Sequence, residues 1–177
     1  MALYKQGRIN EAVEHYKTAI KLDKNVAVPH WNLGDALAKQ GWNNKAISQY
    51  ERALELEPNK LKAHRKLARI LFEQKKFDEA VIHFAKVVEL EPGSMSAHNN
   101  LGLVLTRQGD FAAAETQFQK ALQIKKNYFS HVNLAVLLAR QGKTDEAIEH
   151  YRKAIKLNPK DQQAWAGLKA ALAVRNK

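Results

Sequence analysis

Residues 98–122 of this chain read HNNLGLVLTRQGDFAAAETQFQKAL. Leu101 and Leu105 lie four residues apart in its first half, and Ala114 and Phe118 lie four apart in its second half. This spacing places each pair on one helix face, so the stretch predicts two short amphipathic helices joined at a glycine. Neither helix has enough apolar surface to be stable alone, and the pair therefore needs neighbours to pack against.

Those neighbours are copies of the same pattern along the chain. A glycine, replaced once by lysine, recurs every 34 or 33 residues, at Gly7, Gly41, Lys75, Gly109 and Gly142. Five residues after each of these stands an alanine, at Ala12, Ala46, Ala80, Ala114 and Ala147. Four residues further stands an aromatic side chain, at Tyr16, Tyr50, Phe84, Phe118 and Tyr151. Recurrence at a fixed period of this length indicates a repeat protein.

Each recurring position has a physical reason. The residue after a first helix adopts a left-handed conformation that satisfies terminal carbonyls, and glycine does so without steric cost. Lys75 stands there in one repeat, and we expect it to carry about 1 kcal/mol of strain. The alanine lets two helices approach closely, and the aromatic ring fills the space beside it. Prolines that stop the second helices follow at Pro58, Pro92 and Pro159.

The pattern resembles the tetratricopeptide repeat (TPR), a helix-turn-helix unit with the signature W-x2-L-G-x2-Y, then A-x3-F, A and P. Residues 27–60 carry HWNLGDAL, followed by Ala46, Tyr50, Ala53 and Pro58. The resemblance implies an all-α fold, a right-handed superhelix (α-solenoid) of antiparallel helix pairs. It covers essentially the whole chain and is highly specific for the fold, but it says little about function.

We expect one array over residues 1–177. A truncated repeat 1 occupies 1–26, and four repeats follow at 27–60, 61–94, 95–127 and 128–161. Residues 162–177 resemble the helix that caps the last repeat in this family. Because the first helix of repeat 1 is cut short, we expect a fragment of a longer array or a start site inside one. The N-terminal edge is then expected to be apolar and uncovered.

The amino-acid composition indicates what kind of partner the protein binds and where it is located. The net charge is +11, from 29 Lys and Arg against 18 Asp and Glu, which favours acidic partners. The chain has no cysteine, which excludes disulfides and thiolate metal ligands. No apolar run approaches the ~20 residues of a spanning helix, and the N-terminus lacks a signal-peptide core. We therefore expect no membrane span and a cytoplasmic location.

No motif for catalysis or cofactor binding occurs: GxSxG, a P-loop and HExxH are all missing. We expect no enzymatic activity and no cofactor. The seven histidines fall in two columns, His30, His64, His98 and His131 on first helices and His15, His83 and His150 on second helices. Equivalent residues of neighbouring repeats should be about 10 Å apart, whereas zinc needs its nitrogens at ~2 Å. We interpret the columns as packing positions and expect no metal site.

The resemblance to TPR proteins also implies which residues bind. In that family the first helices line a concave groove through their second, fifth, sixth, ninth and thirteenth positions. Here these positions hold seven basic side chains against Asp35 and Glu73, which predicts a basic groove. The predicted peptide-binding residues are Trp31, Asn32, Lys39, Lys62, Arg65, Lys66, Arg69, Asn99, Asn100, Leu103, Arg107, Phe129, Val132, Asn133, Val136 and Arg140; Val28, Asp35, Glu73 and Ser96 complete the positions.

Two precedents within the family match in part. Co-chaperone domains that clamp an acidic C-terminal tail place cations and asparagines at five set positions, held here by Arg65, Arg69, Asn100, Phe129 and Asn133. The asparagine ladder of O-linked N-acetylglucosamine transferases corresponds to Asn32, Lys66, Asn100 and Asn133, which lysine interrupts. A primary amide both donates and accepts, so such a ladder holds an extended peptide backbone of any sequence.

The leading hypothesis is an interaction scaffold whose basic groove binds an extended, acidic peptide segment of another protein. Asn100 and Asn133 would hold the backbone, the lysines and arginines would pair with carboxylates, and Phe129 with its apolar neighbours would take an apolar side chain. Three alternatives stay open: a substrate-docking region of a larger enzyme such as a glycosyltransferase, a nucleic-acid-binding repeat, and a homo-oligomer formed through the N-terminal edge. Peptide binding ranks first among them, and nucleic acid ranks well behind it.

Overall fold

The computed structural model describes residues 4 and 6–176, which form α-helices and short turns and contain no strand. The helices with described bounds are α1 (Ile9–Leu22), α2 (Ala27–Lys39), α3 (Asn43–Leu56), α4 (Leu61–Glu73), α5 (Phe77–Leu90), α6 (Met95–Gln108), α7 (Phe111–Ile124), α8 (Tyr128–Arg140), α9 (Thr144–Leu157) and α10 (Gln162–Arg175). The prediction of an all-α fold built from helix-turn-helix units is confirmed. None of the described helices is long and apolar enough to cross a membrane.

The chain divides into two compact units, Met1–Lys86 (unit 1) and Val87–Lys177 (unit 2). In unit 1, α2 packs against α1 and α3, and α3 packs against α4. In unit 2, α6 packs against α7, α8 packs against α7 and α9, and α10 packs against α9 and α8. Helices of 13 or 14 residues are marginal in isolation, so this contact between neighbours supplies their stability.

In two of the helix pairs, α2–α3 and α6–α7, an aromatic ring of the second helix lies against a glycine of the first helix. Phe118 of α7 is 1% exposed, and a Cβ atom added to Gly102 of α6 would stand only 2.6 Å from its Cε1. In the same way, a Cβ on Gly34 would stand 2.8 Å from Cε1 of Tyr50. The glycines are therefore required by the close approach of the ring, which explains their place in the repeat.

The turn between the two helices of a repeat has one residue with positive φ. The angle is 79° at Gly41, 97° at Gly109 and 61° at Lys75. The backbone N–H of Lys76 then donates to Leu71 across the turn, at 2.9 Å. Lys75 thus keeps the left-handed conformation of the glycines it replaces, which is the condition for the expected strain, and bears the steric cost of its Cβ atom.

Replacing Lys75 by glycine should raise the free energy of unfolding by about 0.5–1 kcal/mol, because relief of the left-handed strain exceeds the entropy that glycine adds to the unfolded chain. Denaturant unfolding followed by circular dichroism would measure it. The reciprocal variant Gly41→Lys is the matched control, since a Cβ at Gly41 meets no atom within 4 Å. It should lower the stability by a similar amount, and equal stability of both variants and the parent would contradict the strain.

Helix α10 makes the contacts of a first helix. Trp165 occupies the histidine column, and its Nε1–H donates to the carbonyl oxygen of Pro159 at 2.9 Å. His64 makes the equivalent contact to Pro58 at 2.8 Å through Nε2. Gly167 lies so close to the Tyr151 ring that a Cβ would overlap it. The C-terminal helix is therefore held by the same inter-repeat turn as its predecessors.

Candidate functional site

The two histidine columns meet in pairs. Nδ1 of His64 lies 3.0 Å from Nδ1 of His83, and Nδ1 of His131 lies 3.0 Å from Nδ1 of His150. In the intervening repeats a glutamine amide replaces the second histidine, at His30 with Gln49 (2.8 Å) and His98 with Gln117 (2.7 Å). The sequence analysis considered only the distances between equivalent histidines of neighbouring repeats. It therefore missed these contacts, which join one column to the other. The constant separation of 19 residues between the two partners is the sequence signal that could have predicted these contacts.

The hydrogen-bond pattern fixes the protons of the His64 pair. The carbonyl oxygen of Pro58 can only accept, so Nε2 of His64 carries the hydrogen and Nδ1 accepts from Nδ1–H of His83. Burial, followed by the neighbouring His64, lowers the pKa of His83 to about 4. Both nitrogens of His64 are thus used in protein hydrogen bonds. Within the described residues, no three histidine or carboxylate side chains converge as metal ligands.

The predicted binding residues of unit 1 lie on α2 and α4. Trp31 and Asn32 are only 9% and 8% exposed. The Trp31 indole packs against the Tyr50 ring, with ring centroids 5.4 Å apart. Nζ of Lys66 lies 3.7 Å from Oδ1 of Asp35. The residues with exposed side chains are Lys39, Lys62, Arg65 and Arg69, and Lys66 is half-buried.

Asp35 connects this surface to the core. Its Oδ1 accepts a hydrogen bond from the Tyr50 hydroxyl at 2.7 Å, and burial followed by this hydrogen bond raises the pKa of Tyr50. On α4, Nε of Arg69 lies 3.8 Å from Oε1 of Glu73. Two of the cations predicted to bind a partner in unit 1 therefore face carboxylates of the chain itself.

The predicted residues of unit 2 lie on α6 and α8. Asn99 is 7% exposed, and its Nδ2 donates to Oγ of the fully buried Ser130 at 2.6 Å. Its Oδ1 is buried without a hydrogen-bond partner among the described residues. Val132 is also buried, at 3% exposure. Asn99 and Val132 therefore lie beneath the surface and support the residues that a partner could touch.

The remaining predicted residues form what we call the α6–α8 face: Asn100, Leu103, Arg107, Phe129, Asn133, Val136 and Arg140. Phe129 is 59% exposed and stacks on Tyr128 with ring centroids 4.0 Å apart. Leu103 and Val136 are half-buried, so apolar surface is open to solvent between the amides. Arg107 and Arg140 are exposed and form no ion pair with any residue in the described part of the chain.

Three further residues on α10 continue these positions. Carried one repeat onward, the fifth, ninth and thirteenth positions are Ala166, Ala170 and Val174, all exposed. Val174 is 61% exposed, a large apolar fraction for a helix end. Since α10 packs against α8, it adds apolar area beside the α6–α8 face. The sequence analysis drew its binding residues only from the repeats, which end at residue 161, because it interpreted residues 162–177 as a capping helix.

The comparisons with known proteins agree with this architecture. A family model described as TPR repeat matches residues 2–41 and 34–74. A second, described as Tetratricopeptide repeat, matches residues 61–127 and 93–160. No curated protein matches the chain in sequence.

Several solved structures share the fold. YrrB, a TPR protein with an unusual peptide-binding site, superposes with a TM-score of 0.89 at 21% identity, over 95% of this chain and 87% of that one. MamA from Desulfovibrio magneticus superposes with a TM-score of 0.81 at 24% identity, over 91% and 92% of the two chains. PilF of Pseudomonas aeruginosa gives 0.74 at 20% identity, over 99% and 80%. At such identities the likeness establishes the fold alone.

Proposed function

This chain belongs to the tetratricopeptide repeat family of protein–protein interaction scaffolds, and we propose that its α6–α8 face binds an acidic peptide. The partner is another protein, which contributes an extended segment, and the role is binding without catalysis. One observation carries the proposal: two exposed arginines that form no ion pair among residues 4 and 6–176 flank open apolar surface on consecutive first helices.

The two arginines set the spacing of the acidic residues. Arg107 and Arg140 occupy the thirteenth position of consecutive first helices. Equivalent residues on packed neighbouring helices are about 10 Å apart. An extended chain advances about 3.3 Å per residue, so carboxylates roughly three residues apart would reach both guanidinium groups. Bidentate pairing with a carboxylate favours arginine over lysine in this role.

The rest of the face fits a peptide as well. Asn100 and Asn133 can donate to a backbone carbonyl and accept from a backbone N–H, so they hold the main chain in extended form. Phe129, with Leu103 and Val136, offers a site for one apolar side chain of the peptide. Buried aromatic contacts dominate most protein interfaces, and Phe129 is therefore expected to contribute most to affinity.

Unit 1 is less suited to the same ligand. Lys66 and Arg69 already face Asp35 and Glu73, so a peptide carboxylate would have to compete with groups of the same chain. Lys62 and Arg65 extend the positive charge of this unit and would raise the rate of association with an acidic partner. YrrB, a TPR protein with a peptide-binding site, supports peptide recognition on this fold.

The double variant Arg107→Glu/Arg140→Glu should weaken binding by about tenfold or more, because both carboxylate contacts become repulsive. The probes are individual fluorescein-labelled peptides, in each of which two Asp or Glu residues lie three residues apart and flank one Leu or Phe. Fluorescence anisotropy at low and high salt measures the dissociation constant. The salt dependence should also be weaker for the variant than for the parent.

The matched control is Arg152→Glu/Lys156→Glu, which makes the same charge change at exposed positions of α9 in the same unit. It should leave affinity within about twofold, apart from a small effect on the association rate. Equal loss in the two double variants would mean that only net charge matters. Unchanged binding by the first variant would place the peptide elsewhere.

A further inference from the structure

A cavity lies in unit 1, between α1 and α3, and we call it the α1–α3 groove. It encloses about 710 Å³, and Leu33 and Leu37 of α2 form its floor at 5% and 6% exposure. Val13 of α1 adds an apolar wall. At about 100° per residue, these leucines lie on the opposite side of α2 from Asp35 and Lys39. The groove is therefore separate from the surface that the TPR positions predict.

Trp42 stands at the rim of this groove with 52% of its surface exposed. It is the N-cap residue of α3, yet it makes no capping hydrogen bond. The equivalent residues of the later repeats are Lys76, Asp110 and Lys143, and Asp110 does cap its helix by accepting from Ala113 N–H at 3.1 Å. The tryptophan side chain does not cap its helix, and tryptophan is among the residue types that most often anchor protein interfaces.

The walls of the groove are positively charged. Three lysines line it, Lys17, Lys21 and Lys45, against one carboxylate, Glu14. Lys17 is paired with Glu14 at 2.8 Å. Lys45 places Nζ 3.8 Å from the centre of the Trp42 ring, and neither it nor Lys21 forms an ion pair within residues 6–176. An apolar floor whose walls carry three lysines against one carboxylate selects a ligand that is both apolar and acidic.

We propose that the α1–α3 groove is a second docking site, for a short amphipathic peptide segment in which carboxylates flank one large apolar side chain. That side chain lies over Leu33 and Leu37 and against the Trp42 ring, and its flanking carboxylates pair with Lys21 and Lys45. The recessed aliphatic floor accepts a side chain but offers nothing to a phosphate backbone. The site shares no residue with the α6–α8 face, so each can be tested without the other.

A random peptide library displayed on phage, selected on the full chain and counter-selected on Trp42→Ala, tests the proposal. We expect the selected peptides to share a large apolar residue between Asp or Glu residues. Their affinity, measured by anisotropy with labelled synthetic copies, should fall about tenfold or more in Trp42→Ala. The charge variant Lys21→Glu/Lys45→Glu should weaken binding similarly and remove its salt dependence, even if the tryptophan variant fails to fold.

Two controls separate the groove from other surfaces. Ile82→Ala removes another exposed apolar side chain of unit 1, 66% exposed on α5, and should leave binding unchanged. Arg107→Glu/Arg140→Glu should also leave it unchanged. The proposal is overturned if no peptide is enriched over the counter-selection, or if the selected peptides lack carboxylates. It is equally overturned if single-stranded RNA competes for the groove, or if Trp42→Ala abolishes self-association of the parent chain in sedimentation.

Discussion

Replacing Gly102 by valine should lower the free energy of unfolding by about 3 kcal/mol, the largest single effect that we expect in this chain. The added Cβ would lie 2.6 Å from Cε1 and 2.8 Å from Cδ1 of Phe118. The ring is 1% exposed and has no room to retreat, since Ala114 and Ala121 beside it on α7 are fully buried. Denaturant unfolding of the full chain measures the loss.

Gly93 provides the matched control in the same unit. A Cβ at this turn position meets no atom within 4 Å, and its φ is not positive. Gly93→Val should therefore change stability by no more than about 0.5 kcal/mol. Gly102→Ala should fall between the two, because repeats 3 and 5 hold Ala68 and Ala135 at the equivalent position. Equal stability of the two valine variants would show that the close contact at Phe118 is not limiting.

The second large effect is a loss of stability in mild acid. Burial lowers the pKa of His83 and of His131 to about 4, and that of His150 is lowered as well. The unfolded chain, with histidine near its usual value of about 6.5, therefore binds more protons than the folded chain between these limits. Stability should be fully present above about pH 6.5 and should fall as the pH drops toward 4.

The surroundings of the two pairs differ. Glu79 faces His83 and opposes the lowering of its pKa, whereas Lys126 and Lys153 add to the lowering at His131. Glu115, Glu146 and Glu149 in turn oppose the lowering of the pKa of His150, so we expect both pairs to lose stability over the same pH range. After allowance for screening at half-buried sites, each pair should account for about 1 kcal/mol between neutral and mildly acid pH.

The chain contains the control for this effect. In repeats 2 and 4 a glutamine takes the place of the second histidine, so His83→Gln and His150→Gln introduce a contact that the fold already makes. The double variant should keep its stability at neutral pH and lose about 2 kcal/mol less than the parent on acidification. Free energies of unfolding from urea titrations across that range measure the difference. Parallel curves for variant and parent would contradict the assignment.

The fold could be predicted because its determinants are local and repeated. Ala114, Phe118 and the small residue Gly102 lie within one helix pair, so their contact can be predicted from their spacing along the chain. The left-handed turn conformation likewise depends on one residue in each repeat. Lys75 also has a positive φ, although it is not a glycine. Such constraints act in every repeat, and repetition makes them visible.

Burial on the binding surface could not be predicted in the same way. Asn99 and Asn100 are adjacent in sequence, and both occupy family binding positions, yet the first is 7% exposed and the second is open to solvent. Asn99 donates from its amide to Ser130, a buried residue 31 positions further along the chain. The depth of a side chain depends on such neighbours from the next repeat, which vary from one copy to another.

Trp42 shows the opposite problem. It departs from the pattern of its column, where the other repeats have arginine, lysine or aspartate, and so a search for recurring residues passes over it. Only the structure shows that this departure stands beside an apolar groove lined by three lysines and one carboxylate. In repeat proteins, what recurs specifies the scaffold, and what fails to recur marks the surfaces that distinguish one array from another.

The distribution of indole rings gives this chain a built-in optical readout. Trp31 is 9% exposed against Tyr50 in unit 1, and Trp165 is bonded through its Nε1–H to Pro159 in unit 2. Once Trp42 is replaced, one tryptophan remains in each unit, and the two tryptophan spectra report on separate segments of the chain. Repeat arrays can lose structure segment by segment rather than all at once. Fluorescence during denaturation therefore distinguishes stepwise from concerted unfolding without any added label.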